Sequence, residues 1–474
     1  MSRSNAKRLW RAASCAAWAS LAIPIAVAAQ AVSDTPDCNP APYRFLRYSE
    51  DFIFARNPAC QTGFWDGVKH LPFGPDNEQF LSLGGDLRLQ LINARYLSFG
   101  NEGGDNHNVM LERIHLHANM RLASAVRVFA ELKSNFEQNR EPGPLGADVD
   151  RLDIHQAFVD FGADRSPQLR LGRQELIYGS GRRIFPRNGP NVRGNFDAVR
   201  GTTPVADWRL DAFVFRPVSV DPGVFDDGTV DTQTFWGLYA DGTPQVLAPW
   251  GLDVYYIGAR RLGARFSQGA ATEQRHSIGA RLFGKSGAWD FDHELTAQWG
   301  SFGSGSIKAW AVQSESGYSW AGAALKPRAS LRLTFGSGDR NPADPDLQTF
   351  NALFPRGGAV TENFNIAAPN VMHARAGLDM QVIPSVTAVV ALETVWRTSW
   401  RDGVYGPGGN VIRAPAGSMA RHVGDDIEGT VIWRIDRHAA FSFAIGYFFS
   451  GQFIKESGPP RDMSFATTTF FYRF

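Results

Sequence analysis

Long apolar runs are the first thing this 474-residue chain lacks. Beyond its first 30 residues nothing approaches the ~20 consecutive apolar residues of a membrane helix, which excludes a helical membrane protein. Cysteine is scarce, at three residues. Cys15 falls in the leading segment, so at most one disulfide, Cys38–Cys60, is left. Net charge is small as well: 48 Lys and Arg against 47 Asp and Glu leave +1. That balance gives no argument for nucleic acid as a partner. Catalytic signatures are missing too. There is no Gly-x-Ser-x-Gly elbow and no His-Glu-x-x-His helix, so the chain does not read as an enzyme.

What is abundant is aromatic residues, at 12%, and glycine, at 48 residues. Residues 1–29 have the layout of a secretory signal peptide. A basic start with Arg3, Lys7, Arg8 and Arg11 leads into an Ala-rich stretch, and small residues offer cleavage after Ala29 or Ala31. Taking those four cations from +1 leaves the mature chain at −3. In an exported, oxidising setting, Cys38 and Cys60 can close a loop of about 20 residues, worth about 3 kcal/mol in the chain-entropy picture. Residues 30–79 are irregular and proline-rich, with Tyr43, Phe45, Tyr48, Phe52, Phe54, Phe64 and Trp65. They read as an N-terminal extension on the periplasmic side rather than a domain.

From Phe80 to the last residue, apolar and polar residues alternate with period two. Leu87, Leu89 and Leu91 oppose Asp86, Arg88 and Gln90. Met110, Ile114, Leu116 and Met120 oppose Arg113, His115, His117 and Arg121. Val128, Ala130 and Leu132 oppose Arg127, Glu131 and Lys133. Trp289, Phe291, Leu295 and Trp299 oppose Asp290, Asp292, Glu294 and Gln298. A soluble sandwich produces a similar local pattern. Segments of about 9–13 residues repeated across nearly 400 positions, with no second core, instead match strands that cross a bilayer at a tilt. Lipid leaves no partner for an open sheet edge, so the sheet must close.

The fold class is therefore all-β: a transmembrane antiparallel β-barrel over residues 80–474, in the outer membrane. At roughly 22 residues per strand and connection the span gives about 18 strands, with 16 as the even-numbered alternative. Turns such as Arg261-Leu262-Gly263 and Gly284-Lys285-Ser286-Gly287 read as short periplasmic connections. Asn101–Asn108, Gln138–Arg151, Gly179–Asn195, Pro217–Thr234, Ser337–Pro369 and Asp402–Arg421 read as long external loops. The chain ends with Phe470, Tyr472 and Phe474 on one face, which resembles the assembly signal of outer-membrane barrels.

Charge gathers in one place. Gly172–Gly201 holds Arg173, Arg182, Arg183, Arg187, Arg193 and Arg200 against only Glu175 and Asp197. Its glycines and prolines suit a loop that bends into a lumen. His115 and His117 could offer two metal ligands, but no further Cys or His pair joins them, so they read as polar lumen residues. Asp339, Asp344 and Asp346 could hold calcium, and read more simply as a solvated acidic loop. No cofactor is expected.

Several blocks carry a family likeness. They are Arg47-Tyr48-Ser49-Glu50-Asp51, Leu83-Gly84-Gly85-Asp86-Leu87-Arg88 and Gln156-Ala157-Phe158-Val159-Asp160. Gly172-Arg173-Gln174-Glu175-Leu176 runs into Gly189-Pro190-Asn191-Val192-Arg193 and Asn195-Phe196-Asp197. Later come Ser337-Gly338-Asp339, Thr349-Phe350-Asn351, Leu353-Phe354-Pro355 and Asp402-Gly403-Val404-Tyr405. With these the chain resembles the alginate-export family of outer-membrane barrels. The resemblance implies an 18-stranded barrel and a passive pore that exports an anionic polysaccharide through an arginine-rich constriction.

The implied partners are an anionic polysaccharide or carboxylated solute, outer-membrane lipid and periplasmic export proteins. Arg173, Arg182, Arg183, Arg193 and Arg200, with Arg88 and Arg113 from neighbouring strands, are the constriction candidates. Glu175 and Asp197 would orient them by pairing. A guanidinium stays charged and presents a fork to carboxylate, which suits an anion pathway. Two alternatives stand beside this reading. One is a porin for small carboxylates or aromatic acids. The other, of a different class, is a non-conducting outer-membrane receptor or barrel enzyme.

Overall fold

The computed structural model describes residues 38, 40–74, 78–97, 99–100, 106–141, 143–163, 166–361, 364 and 366–474. The signal segment read from residues 1–29 lies outside them.

One sheet holds 19 strands. Eighteen close into a ring, and a two-residue strand, Leu71–Pro72, adds to the foot of the first. The ring runs β1 (Phe80–Arg95), β2 (Asn106–Ala123), β3 (Val126–Gln138), β4 (Asp150–Phe161), β5 (Gln168–Gln174), β6 (Phe196–Val205), β7 (Trp208–Pro217), β8 (Gln233–Gly242) and β9 (Gly251–Phe266). It continues with β10 (Gly269–Ser286), β11 (Trp289–Phe302), β12 (Gly305–Ser319), β13 (Arg328–Gly336), β14 (Val371–Ile383), β15 (Val386–Arg397), β16 (His422–Arg434), β17 (Ala439–Ser450) and β18 (Met463–Arg473). Each strand is antiparallel to its neighbours, and β1 closes on β18, Asp86–Arg95 pairing with Ser464–Arg473.

The alternation is inverted relative to a soluble protein. On β11, Leu295 is 57% exposed while its neighbour Glu294 is 4% exposed. Leu91, Leu132, Leu238 and Leu392 face outward, whereas Arg113, His115, Glu131, Lys133, Glu273 and Arg275 are buried. A wall that exposes leucine and buries arginine fits lipid outside and a polar interior. Exposed rings form two belts. Trp289, Trp433 and Phe441 lie near the short-turn end of their strands, and Trp299, Trp310, Trp396 and Phe449 near the long-loop end. Trp289 and Trp299 are ten residues apart on β11. At about 3.3 Å per residue and a tilt of about 40°, that spans about 25 Å, the height of an apolar band in an outer-membrane barrel.

The connections at the periplasmic end are short, with two-residue turns after β2, β6, β10 and β14. The external loops are L1 (96–105), L2 (139–149), L3 (175–195), L4 (218–232), L5 (267–268), L6 (303–304), L7 (337–370), L8 (398–421) and L9 (451–462). L5 and L6 are exceptions to the length rule. L9 contains the barrel's six-residue helix, Gln452–Ser457.

One expected turn is not a turn. Arg261-Leu262-Gly263 lies inside β9, where the register with β10 shifts between Arg261 and Ala264. Gly263 has φ +67°, so the positive φ that suggests a hairpin serves a β-bulge instead. The turn expected at Gly284–Gly287 shortens to Gly287–Ala288, because Lys285 and Ser286 pair with Asp290 and Trp289.

Between Arg47 and Val68 the chain forms four short 3-10 turns against the periplasmic foot of the ring. Arg47 donates to the carbonyls of Gly85 (2.9 Å) and Phe474 (2.8 Å). Trp65 stacks on Phe474 with centroids 4.0 Å apart and donates to the Tyr472 hydroxyl. Tyr48 reaches further in and packs edge-on against Phe129 and Phe158. Cys38 and Cys60 are disulfide-bonded, tying the start of the segment to its own third turn.

Leu295→Arg places a charge on the lipid face midway along β11. It should cost about 2–4 kcal/mol of folding stability in phospholipid vesicles, read by chemical unfolding. A cost under about 0.5 kcal/mol would put Leu295 outside the hydrocarbon.

Candidate functional site

L3 leaves the wall after Gln174 and rejoins it at Phe196, and between these points it crosses the lumen. Apolar contacts start the crossing. Leu176, Tyr178 and Ile184 pack with Phe213, Phe215, Phe235, Tyr239 and Tyr255 of β7–β9 in one buried cluster. Gly179, with φ +55°, turns the chain directly over the Tyr239 hydroxyl and Asp253, where a Cβ would lie 2.4 Å from that hydroxyl. L7 joins from the other side of the loop. Phe354 packs on Phe196, Phe215 and Phe235. Its N–H donates to the Arg183 carbonyl (2.9 Å), and the Arg356 N–H donates to that of Gly181 (2.8 Å).

Charge fixes the two ends of the crossing. On one side, Arg113 donates to Asn191 O (2.7 Å), Pro190 O (2.7 Å) and Asn188 Oδ1 (2.7 Å). Arg88 beside it donates to Asn188 O (2.9 Å) and Asn191 Oδ1 (3.1 Å). On the other side, Arg182 pairs with Asp292 (2.6 Å) and Glu294 (3.4 Å) of β11. Arg183 donates to Thr296 (2.9 Å) on β11 and Gln313 (2.8 Å) on β12, with its guanidinium 4.8 Å from the Phe350 ring centroid. β2 and β11 are nine strands apart in a ring of eighteen, so L3 is strung across the full width of the barrel.

A third anchor lies at the root of L3. Glu175 is fully buried between His155 Nε2 (2.9 Å) and Arg193 (2.7 Å), and its carbonyl accepts from the Tyr48 hydroxyl (3.0 Å). The Arg193 guanidinium lies 4.1 Å from the Phe45 ring, so the N-terminal segment supports L3 from below. Near this anchor His115 bonds Glu131 (2.9 Å), and His117 stacks on Phe129. His115, Glu131 and His155 are close enough to share an ion, yet Glu131 already accepts from both His115 and Gln156.

The structure thus brings Arg88, Arg113, Glu175, Arg182, Arg183 and Arg193 into one network around L3. Three candidates lie apart from it. Arg173 and Asp197 pair with each other on the wall at 3.0 Å, with Thr229 of L4 donating to Asp197. Arg200 pairs with Asp211 across β6 and β7 at 2.5 Å. The acids of L7 are engaged within and beside their own loop. Asp344 accepts from Asn341 and Asp346 N–H, and Asp346 accepts from Ser306. Burial beside Asp402 and Asp344 pushes the Asp339 carboxyl up to about 6.

Beside L3 remains a cavity of about 610 Å³, bounded by the walls of β14–β18 and β1. Arg88, Arg356 and Arg375 line it together with Glu428, Gln90, Thr430, Ser442, Thr467 and Thr469. Arg356 and Arg375 were not singled out among the sequence candidates. Arg375 carries a usable signal, because it occupies the inward phase of β14 with His373. Arg356 lies in L7, where no period indicates direction. The inward rings of β7–β9 were also missed. Their signal is a strand apolar on both phases, as in Val254-Tyr255-Tyr256-Ile257, which needs cover on its inner face.

Comparison with known proteins agrees with this architecture. The solved structure of OccK2 (OpdF) from Pseudomonas aeruginosa in complex with glucuronate aligns with a TM-score of 0.56 at 12% identity, over 83% of this chain and 98% of that one. A BenF-like porin from Pseudomonas fluorescens Pf-5 aligns at 0.58 and 10% identity, with the same coverage. OpdK from Pseudomonas aeruginosa with vanillate aligns at 0.56 and 11%, also over 83% and 98%. At such identities the likeness is one of fold. No curated protein matches the chain. The profile for alginate export matches residues 79–468, which is most of the chain. With its closed 18-stranded ring and lumen-crossing loop, the chain belongs to the alginate-export family of outer-membrane barrels.

Proposed function

We propose that the barrel is a passive, anion-favouring channel whose solute carries uronate-type carboxylates, foremost an anionic polysaccharide such as alginate moving outward. The observation that carries this reading is the lining of the passage beside L3. Three arginines face one glutamate there, among hydroxyls, the amides of Gln90 and Asn188, and apolar side chains such as Val389, Ile432 and Phe471. Spaced guanidinium groups can replace water around a carboxylate, while the hydroxyls between them hold the sugar weakly. Weak and repeated binding is what lets a solute leave as well as enter. Membership of the alginate-export family supports a polymer.

In this reading most of the arginines named from the sequence have a different task from the one expected. Arg88, Arg113, Arg182 and Arg183 hold L3 in place and so set the width of the passage. Arg356 and Arg375 carry the selectivity.

A second reading is uptake of small carboxylates. It is supported by the fold shared with OccK2, solved with glucuronate, and OpdK, solved with vanillate. Block of single-channel conductance by an oligouronate, with little block by monomeric acids, favours the polymer. The reverse favours uptake, and a barrel that does not conduct favours a receptor.

Reversal potentials in planar bilayers should favour anions, and Arg375→Ala and Arg356→Ala should each weaken that preference. A cation-selective wild type overturns the reading. Arg113→Ala removes the main tie on the tip of L3, where buried hydrogen bonds to a charged group are worth about 1.5–3 kcal/mol each. Its conductance should rise and fluctuate, with anion preference retained. Unchanged conductance would mean that L3 does not limit the passage.

A further inference from the structure

On the lumen wall, beside the same cavity, the carboxylates of Glu393 on β15 and Asp426 and Glu428 on β16 come together. Glu393 lies directly opposite Asp426 in the β15–β16 register, and Glu428 follows two residues on, so all three project inward. They are 3%, 3% and 4% exposed. One ligand oxygen from each lies within 4.8 Å of the others.

Two side chains of β14 are directed at Glu393. His373 Nε2 bonds Glu393 at 2.8 Å, and Arg375 Nε donates to its other oxygen at 3.0 Å. Asp426 is different. Both its carboxylate oxygens are buried, and neither has a hydrogen-bond partner among the described residues. Across the next strand it faces Phe448, and Glu428 faces Gly446, so β17 supplies no donor side chain there. A buried carboxylate with no donor is costly unless something neutralises it. A cation shared by the three carboxylates would supply that neutralisation.

We propose that Glu393, Asp426 and Glu428 form a binding site for one divalent cation, with calcium the best fit. Calcium takes carboxylate oxygens at about 2.3–2.6 Å, which sets ligands on opposite sides of the ion about 4.6–5.2 Å apart. The spread of these oxygens fits inside that shell. The irregular arrangement suits calcium better than magnesium, which demands near-ideal octahedral geometry. Water from the adjoining cavity, which Glu428 lines, can complete the shell. The site stands independently of which solute the barrel carries.

The alternative is that the carboxylates share protons instead, and equilibrium dialysis separates the two. The barrel is refolded in detergent free of lipopolysaccharide, stripped with EDTA and dialysed against radioactive calcium at about 10⁻⁴–10⁻³ M, the affinity range of extracellular calcium modules. One ion per barrel is expected in the wild type and background in Asp426→Asn. In Glu428→Gln affinity should fall at least about tenfold. Heat-modifiable migration on gels reports that each variant is folded, and Glu428→Gln carries the test where Asp426→Asn does not fold. No bound calcium in the wild type, or equal stoichiometry in the folded variants, overturns the proposal.

Discussion

Everything in this protein follows from the pairing of β1 with β18. In lipid a strand edge cannot exchange its backbone partners for water, so each N–H and C=O must find another strand. Ten residue pairs, from Asp86 with Arg473 to Arg95 with Ser464, join the two ends of the chain's sheet and leave no edge. Once the ring closes, the two faces of every strand have different solvents. The outer face must be apolar for about 25 Å. The inner face is free to be charged, and it encloses a space too wide for wall side chains to fill.

That space is filled by loops, and the filling imposes a second constraint. A charge on the wall is cheap while water reaches it and expensive once a loop covers it. Arginine meets this constraint with the same device in several places. Arg113 holds carbonyls at the tip of L3. Arg275 donates to Thr349 O of L7, and Arg397 to the carbonyls of Trp400, Asp402 and Ser418 of L8. Arg413 donates to Ile454 O and Pro459 O of L9. A guanidinium has five donors and no acceptor, so one side chain can gather several loop carbonyls that would otherwise be buried without partners.

The strands were legible because their signal is local. A period of two in Trp289–Trp299 needs no knowledge of what lies elsewhere in the chain. The bulge at Arg261–Gly263 was read as a turn because a positive-φ glycine serves both structures, and only the register of β10 distinguishes them. The candidate site was legible in composition but not in role. Gly172–Gly201 could be marked as a basic lumen loop from its residues alone. Its partners could not, since Asp292 lies 110 residues from Arg182, and Gln313 lies 130 from Arg183. Only closure of the ring brings β11 and β12 opposite β2. Arg356 was hidden for a related reason, because its place in the lumen is set by the pairing of L7 with L3 and by no periodicity of its own.

Holding and selecting make opposite demands on the same side chain. An arginine that holds a loop must have its donors used, as in Arg183, whose contacts with Thr296, Gln313, Tyr255 and its neighbour's carbonyl surround the guanidinium. An arginine that selects a solute must keep donors toward the passage. Arg375 fits the second description, because its ion pair with Glu393 is made through Nε while the residue lines the cavity. A basic loop in a barrel is thus a poor guide to where the solute binds. The density of arginine marks where L3 narrows the lumen, and the better-separated arginines beside it line the cavity that remains.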